Sequence, residues 1–365
     1  MARFLPLALL IPLGALCFEA AANAHHHASL DAGSGLNKSE HVQKNNFIAS
    51  NPDSGKSVQS SAIVVTEDNF PQAYSNLRFD AIIKQAGGIN KFLEMPVASS
   101  DPAKQFVVRM NRDTFYVTSI FDMTGGIYLT IPETDQYVSI QVVDENHETQ
   151  PMIYGPGRHR LTAKTTHAFV IVRSLDDSAR RNLIAEANST KPFSVKNWDE
   201  ESFEKVAAAG NEVFSKGYDQ SKAYSNKESG QTPFMNYVGA AGGWGGAMVQ
   251  DNIYQTSQYM SSDGCYEMTF LDPQVRDFWS ATVCNGDGYL FNDVANLSSQ
   301  MNPVQNKDGT YTVRFGCDGQ PNNIPVREGN STGKFNVITR HYGPSDMVKS
   351  GQKGYNPTFD IIEIK

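Results

Sequence analysis

Between Gln105 and Arg173 the chain breaks into short segments that fit no helical period. Gln105–Met110, Phe115–Phe121, Gly126–Ile131, Tyr137–Val143 and His167–Arg173 are rich in β-branched and aromatic residues. Turn formers at Gly125-Gly126, Pro132-Glu133 and Gly155-Pro156-Gly157 separate them. Short strands at this spacing predict an antiparallel sandwich or barrel. The pattern returns at Cys265–Leu271, Phe278–Cys284, Thr310–Phe315 and Lys334–Tyr342, with turns at Asp287-Gly288 and Asp308-Gly309.

The stretch between the two strand-rich regions reads differently. Asp176 or Asp177 is placed to cap a helix reaching Ala187. Trp198-Asp199 opens a second helix, in which Phe203, Val206, Ala207, Val213 and Phe214 recur at helical spacing and Gly217 follows the end. The fold class is therefore mainly β with a helical connection, in two antiparallel sandwich- or barrel-like modules. The boundaries are 61–175 for the N-terminal β module, 176–231 for the helical connection and a polar linker, and 232–365 for the C-terminal β module. A short helix at Phe79–Gln85, ending at Gly87-Gly88, precedes the first strands.

Residues 1–24 have the form of a secretory signal: Arg3, an apolar core from Phe4 to Phe18, and Ala22-Asn23-Ala24 as cleavage site. Residues 25–60 are rich in Ser, Asn, Gly and Ala and predict a disordered arm. The expected location is secreted or periplasmic, with no membrane span. The net charge of −8, from 31 Lys+Arg against 39 Asp+Glu, argues against nucleic acid as a partner. A homo-oligomer is compatible with this composition.

One stretch concentrates polar chemistry. Arg109-Met-Asn-Arg-Asp-Thr-Phe-Tyr116 places two guanidiniums, an amide, a carboxylate and two hydroxyls in one short run. In strand geometry Arg109, Asn111 and Asp113 share one face, and Arg112, Thr114 and Tyr116 the other. Such residues either close an internal network at a strand corner or form a clamp for a carboxylate or phosphate. His147 follows a strand beside Asp144, Glu145 and Glu148. These carboxylates would favour the imidazolium and tune it as a general base, unless the ring is a hydrogen-bonded structural group.

Other motifs carry less. Gly239-Ala-Ala-Gly-Gly-Trp244-Gly-Gly246 lacks the spacing of a phosphate loop or dinucleotide fingerprint. Its glycines suit close backbone approach, with Trp244 plugging a core or interdomain gap or serving as a platform for a ring-shaped ligand. Gly329-Asn-Ser331-Thr-Gly333 satisfies Gly-x-Ser-x-Gly, but a strand-like run follows it, so it reads as a loop. His25-His26-His27 would head the mature chain and suit Cu(II) or Ni(II). As a mobile polar tail it implies no dedicated metal, and no cofactor is expected.

The mature chain keeps Cys265, Cys284 and Cys317. If Cys265–Leu271 and Phe278–Cys284 form a hairpin folded about Gln274 and Val275, Cys265 and Cys284 face each other. The expected disulfide is then Cys265–Cys284.

These motifs resemble a known pairing, the proteins whose modules are catalogued as domains of unknown function twelve-fifty-four (amino-terminal) and twelve-fourteen (carboxy-terminal). The first hallmark is Arg109–Tyr116, with Phe115 and Val117 where relatives tend to have Leu and Ser. Asn146-His147 stands where relatives have Asp-His, and Gly155-Pro156-Gly157 also matches. The glycine-rich linker motif and Phe278-Trp-Ser280, Asn285-Gly-Asp-Gly-Tyr289 and Arg340-His-Tyr-Gly-Pro344 complete the resemblance, over roughly residues 62–350. It implies two largely β modules, frequent export and no established activity. It also implies that Cys317, lacking a relative's second cysteine near Asn323, stays free.

Two functional readings follow. In the first, Arg109, Asn111, Arg112, Asp113, Tyr116 and His147, with Trp244 as a further ligand contact, form a small-molecule site in the first module or at the domain interface. The arginines would clamp a polar or acidic substrate, Tyr116 or His147 would act as acid/base, and Asp113 would orient, in hydrolytic or lyase-type chemistry. In the second, the protein is a non-catalytic binding or assembly protein and these residues are structural. Convergence on one cleft favours the first, and burial in closed pairs the second.

Overall fold

The computed structural model describes residues 61–95, 100–101, 105, 111–215, 219–351, 355 and 360–364. The signal segment, the arm and Arg109 lie outside the described residues. No helix among those described is long and apolar enough to cross a membrane.

Helix α1 (Phe70–Ala86) is longer than Phe79–Gln85. Pro71 opens it, and Gly87, at φ 76, ends it by returning its N–H to Ile83 and Lys84 carbonyls. Strands β1 (Leu93–Met95), β2 (Phe115–Asp122), β3 (Ile127–Ile131), β4 (Val138–Asp144), β5 (Ile153–Tyr154), β6 (Gly157–Leu161) and β7 (His167–Ser174) follow. The expected second helix is cut short: α2 covers only Asp177–Arg181, capped by Asp176, and the chain re-extends as β8 (Ile184–Ala187).

One sheet has the order β1-β2-β7-β4-β5, and a smaller one β6-β3-β8. They pack face to face, with Phe121, Val170, Val172, Ile140 and Val142 meeting Ile127, Leu129 and Leu161. The other face of the larger sheet is covered by helices. These are α1, α3 (Glu200–Ser215), α4 (Gln220–Ala223) and α5 (Pro233–Gly243). Residues 219–232 are thus no free linker: they hold α4 and a short 3₁₀ turn, and Tyr224, Ser225 and Asn226 are buried. The glycine-rich stretch is largely helical and packs in this N-terminal layer. Gly242 lies against the Phe214 ring and Gly239 against the Ala223 carbonyl.

The C-terminal region holds β9 (Asn252–Thr256), β10 (Met260–Ser261), β11 (Cys265–Leu271), β12 (Phe278–Asn285), β13 (Asn296–Ser298), β14 (Thr310–Phe315), β15 (Asn323–Ile324), β16 (Lys334–Tyr342), helix α6 (Asp346–Ser350) and β17 (Ile362–Ile364). One sheet runs β10-β16-β12-β13, with β9 also pairing β16, and the other runs β15-β14-β11-β17. All pairs in both are antiparallel except β14–β15. Trp279, Val283, Phe335 and Val337 of the first meet Met268, Phe270, Val313 and Phe315 of the second. Among the described residues no sheet closes into a barrel.

The expected Cys265–Cys284 disulfide is not formed. β11 and β12 belong to different sheets, so 272–277 arches between layers instead of closing a hairpin. The bridge joins Cys265 to Cys317, with Cα atoms 4.9 Å apart. Tyr266 pairs with Phe315, and Gly316, at φ 72, turns the chain so that Cys317 falls beside Cys265. Cys284 is a buried thiol. Residues 329–333 form turns leading into β16, with no helix behind Ser331.

Candidate functional site

Directly paired residues of an antiparallel ladder point to the same face, so the register lists what each sheet shows to the module boundary. On the larger N-terminal sheet, one row reads Tyr116, Arg173, Ser139 and Tyr154. The next reads Thr118, Ile171 and Gln141, and the next Ile120, Phe169 and Val143. The apolar end lies under the helices. The polar row stands opposite the C-terminal module.

The facing sheet is as unusual. Phe278, Tyr342 and Asn252 form one row, Ser298, Ser280, Arg340 and Tyr254 the next, and Asn296, Thr282, Ile338 and Thr256 a third. Their opposite faces carry the apolar core. Two polar walls, both withdrawn from water, therefore meet between the modules.

Asn111 and Asp113 join the walls. Asn111 Oδ1 accepts the Asp113 N–H at 2.6 Å, which makes the local bend. Asn111 Nδ2 donates to the Tyr116 hydroxyl at 2.5 Å and also to the Tyr342 hydroxyl. Asp113 accepts from Ser280 Oγ at 2.6 Å, from the Tyr342 hydroxyl at 3.3 Å and from Asn296 Nδ2 at 3.3 Å. Residues 111–114 are irregular, and β2 begins only at Phe115, so the expected strand alternation does not apply to them. Asp113's partners are hydroxyls and an amide of the other module.

Two arginines lie deep in the boundary. Arg340 is 4% exposed and donates Nη1 to Thr282 Oγ1 at 2.8 Å. Burial works against its charge, but the Asp113 carboxylate supports it and its pKa stays above the ordinary arginine value. Arg173 is 1% exposed and donates Nη2 to Gln141 Oε1 at 2.7 Å. Its Nη1 has no hydrogen-bond partner among the described residues, and none of them offers it a carboxylate within ion-pair distance. Its guanidinium carbon lies 6.0 Å from the Tyr116 ring centre.

Tyr116, Tyr137, Tyr254 and Tyr342 all act electrostatically on Arg173. Burial raises the pKa of each, that of Tyr254 to about 12, and outweighs the attraction of the arginines. They present neutral hydroxyls, which donate as well as accept.

The other expected site residues lie elsewhere. Arg112, its side chain 14% exposed, instead pairs with Asp293 of the C-terminal module at 3.2 Å and donates to the Asn292 carbonyl at 3.3 Å. His147 is fully buried in a turn at φ 62, under the helices. Its Nε2 accepts the Gly245 N–H at 2.9 Å, so the proton sits on Nδ1, which donates to Asn236 Oδ1 at 2.9 Å. Burial lowers its pKa to about 4, the reverse of the charging expected from its carboxylate neighbours. Those carboxylates turn away: Asp144 accepts the N–H groups of Asn146 and Glu148, Glu145 that of His167, and Glu148 pairs with Lys164. Trp244 is 1% exposed, donates Nε1 to Ser75 Oγ at 3.0 Å and packs on Phe169. It plugs the core and offers no platform to a ligand.

Of the expected set, Asn111, Asp113 and Tyr116 come together. Arg173, Arg340, Tyr254 and Tyr342 were not foreseen as site residues. The signal available was a charge set directly against an apolar run: Arg173 follows Ala168–Val172, and Arg340 follows Val337-Ile-Thr339.

Residues 89–177 match the family described as "Protein of unknown function (DUF1254)", and residues 249–346 match "Protein of unknown function (DUF1214)". No curated protein matches the chain. The crystal structure of the VPA0106 protein from Vibrio parahaemolyticus aligns with a TM-score of 0.64 at 16% identity, over 82% of this chain and 98% of that one, and shares the fold. An uncharacterized protein from Burkholderia cenocepacia aligns with a TM-score of 0.46 at 13% identity, over 77% and 84% of the two chains. The chain carries a DUF1254 module in its N-terminal part and a DUF1214 module in its C-terminal part, and the polar boundary described above lies between them.

Proposed function

We propose that the protein binds a small organic anion between its two modules, with Arg173 as the anchoring cation. The observation that carries this reading is the Nη1 of Arg173, buried and without a partner among the described residues. A desolvated cation with one neutral partner is costly, and an anion held bidentately relieves that cost. Tyr116 accepts from Asn111 and keeps its own hydroxyl proton for the guest. Asn111 and Asp113 hold the walls together, and His147 and Trp244 support the helical layer behind them.

Calorimetry and thermal scans with acetate test this. Acetate is expected to stabilise the protein, Arg173→Lys to weaken that effect by loss of the planar fork, and Arg173→Met to abolish it. Equal stabilisation of wild type and Arg173→Met overturns the proposal. Export is part of the same reading. It is supported by the signal-like residues 1–24 and by the Cys265–Cys317 bridge, which suits an oxidising compartment. Cell fractionation with amino-terminal sequencing checks it, and a full-length protein in the cytoplasm would oppose it.

A further inference from the structure

The boundary holds orphaned acceptors as well as an orphaned donor. Asn252 is 3% exposed, opposite Tyr342 in the register. Its Nδ2 donates to the Tyr254 hydroxyl at 3.0 Å, while its Oδ1 has no partner among the described residues. Tyr254 is also one of the tyrosines that act electrostatically on Arg173. Asp251 accepts at Oδ1 from Tyr154, a member of the Arg173 row, at 2.6 Å, and its Oδ2 is likewise unpartnered. Buried polar atoms of both kinds, on facing walls and joined through the same tyrosines, call for a guest that both accepts and donates.

Resting on the anion reading above, we infer that the ligand class is a short hydroxycarboxylate. Its carboxylate meets the Arg173 guanidinium, and its hydroxyl donates to Asn252 Oδ1. A plain carboxylate satisfies Arg173 and leaves the acceptors bare. An amino acid brings a donor too, but its ammonium must give up its hydration in a boundary whose guanidiniums Arg173, Arg340 and Arg276 already stand beside the carboxylates Asp113, Asp251 and Asp277. A neutral hydroxyl that finds an acceptor is withdrawn from water at much lower cost. The guest is short because Asn111 reaches a tyrosine on each wall with one amide group.

Calorimetry on the full exported chain compares glycolate, acetate and glycine. The expected result is glycolate binding about tenfold more tightly than acetate, the worth of one well-made hydrogen bond. Asn252→Ala should bring the ratio of glycolate to acetate affinity from about ten to about one. Should that variant fail to fold, the wild-type comparison decides alone. Equal affinity for glycolate and acetate, both lost in Arg173→Met, overturns the hydroxyl inference and leaves the anion site standing. Glycine binding more tightly than glycolate overturns it in favour of an amino acid. Binding of neither acid, or binding untouched by Arg173→Met, overturns both readings.

Discussion

The Gly245 N–H points at Nε2 of His147, 2.9 Å away, and fixes the ring as the neutral Nδ1–H tautomer. The bond joins the turn after β4 to the end of α5. It cannot survive protonation, because an imidazolium has no acceptor. The folded pKa of about 4 lies below the ordinary 6.5, so between those values the unfolded chain binds the extra proton. Stability from this residue is therefore complete above pH 6.5 and is lost as pH falls towards 4, about 3 kcal/mol in all. Asp144, raised by burial to about 6, works the other way as pH falls below 6.

A comparison with His147→Gln isolates the histidine, since Asp144 is common to both proteins. The variant is less stable at pH 7.5, and the gap in Tm narrows on acidification from pH 6.5 to 4. A gap that stays constant over this range would show that the ring is not buried neutral.

The Cys265–Cys317 bridge spans 52 residues of sequence. On the chain-entropy account a loop of that size stabilises by about 4 kcal/mol. Cys265→Ser and Cys317→Ser should each lower the urea midpoint by a similar amount, and the double variant no further. Peptide mapping without reductant should recover 265 linked to 317 and Cys284 as a thiol. Recovery of a 265–284 link would be the contrary result.

Gly242 lies where an added Cβ would come within 1.8 Å of the Phe214 ring. Gly242→Ala gains about 1 kcal/mol of helix propensity but overpacks a core whose ring cannot move freely. The overpacking is larger, so a net loss of about 1–2 kcal/mol is expected in chemical denaturation. A stabilised variant would mean that α3 and α5 are less closely packed.

Asp113 accepts from three side chains of the other module and supports the charge of Arg340. Asp113→Ala removes three hydrogen bonds across the boundary and a carboxylate that supports the Arg340 charge, and should cost about 1–3 kcal/mol. Asp113→Asn keeps the shape and should cost less. Equal, small effects of the two would mean that the carboxylate does not hold the boundary.

Much of the strand layout was legible in residue order alone. Cys265–Leu271, Thr310–Phe315 and Lys334–Tyr342 are strands with the expected ends, and Asp176 caps a helix as expected. These features rest on neighbours within a few residues: turn formers, β-branched runs and a capping carboxylate. The glycines at 239, 242 and 243 hid a helix because their propensity is poor, and contacts with α3 and α4 override it. Tertiary structure decided the rest. It set β11 and β12 in different layers and so gave Cys265 to Cys317. It took water from His147, which reversed the effect anticipated from its acidic neighbours. It also brought Arg173 and Arg340, far apart in the chain, to one boundary. Strand propensity is a local property of the backbone, whereas a side chain's partners and its charge depend on what the fold places against it and on the water it loses.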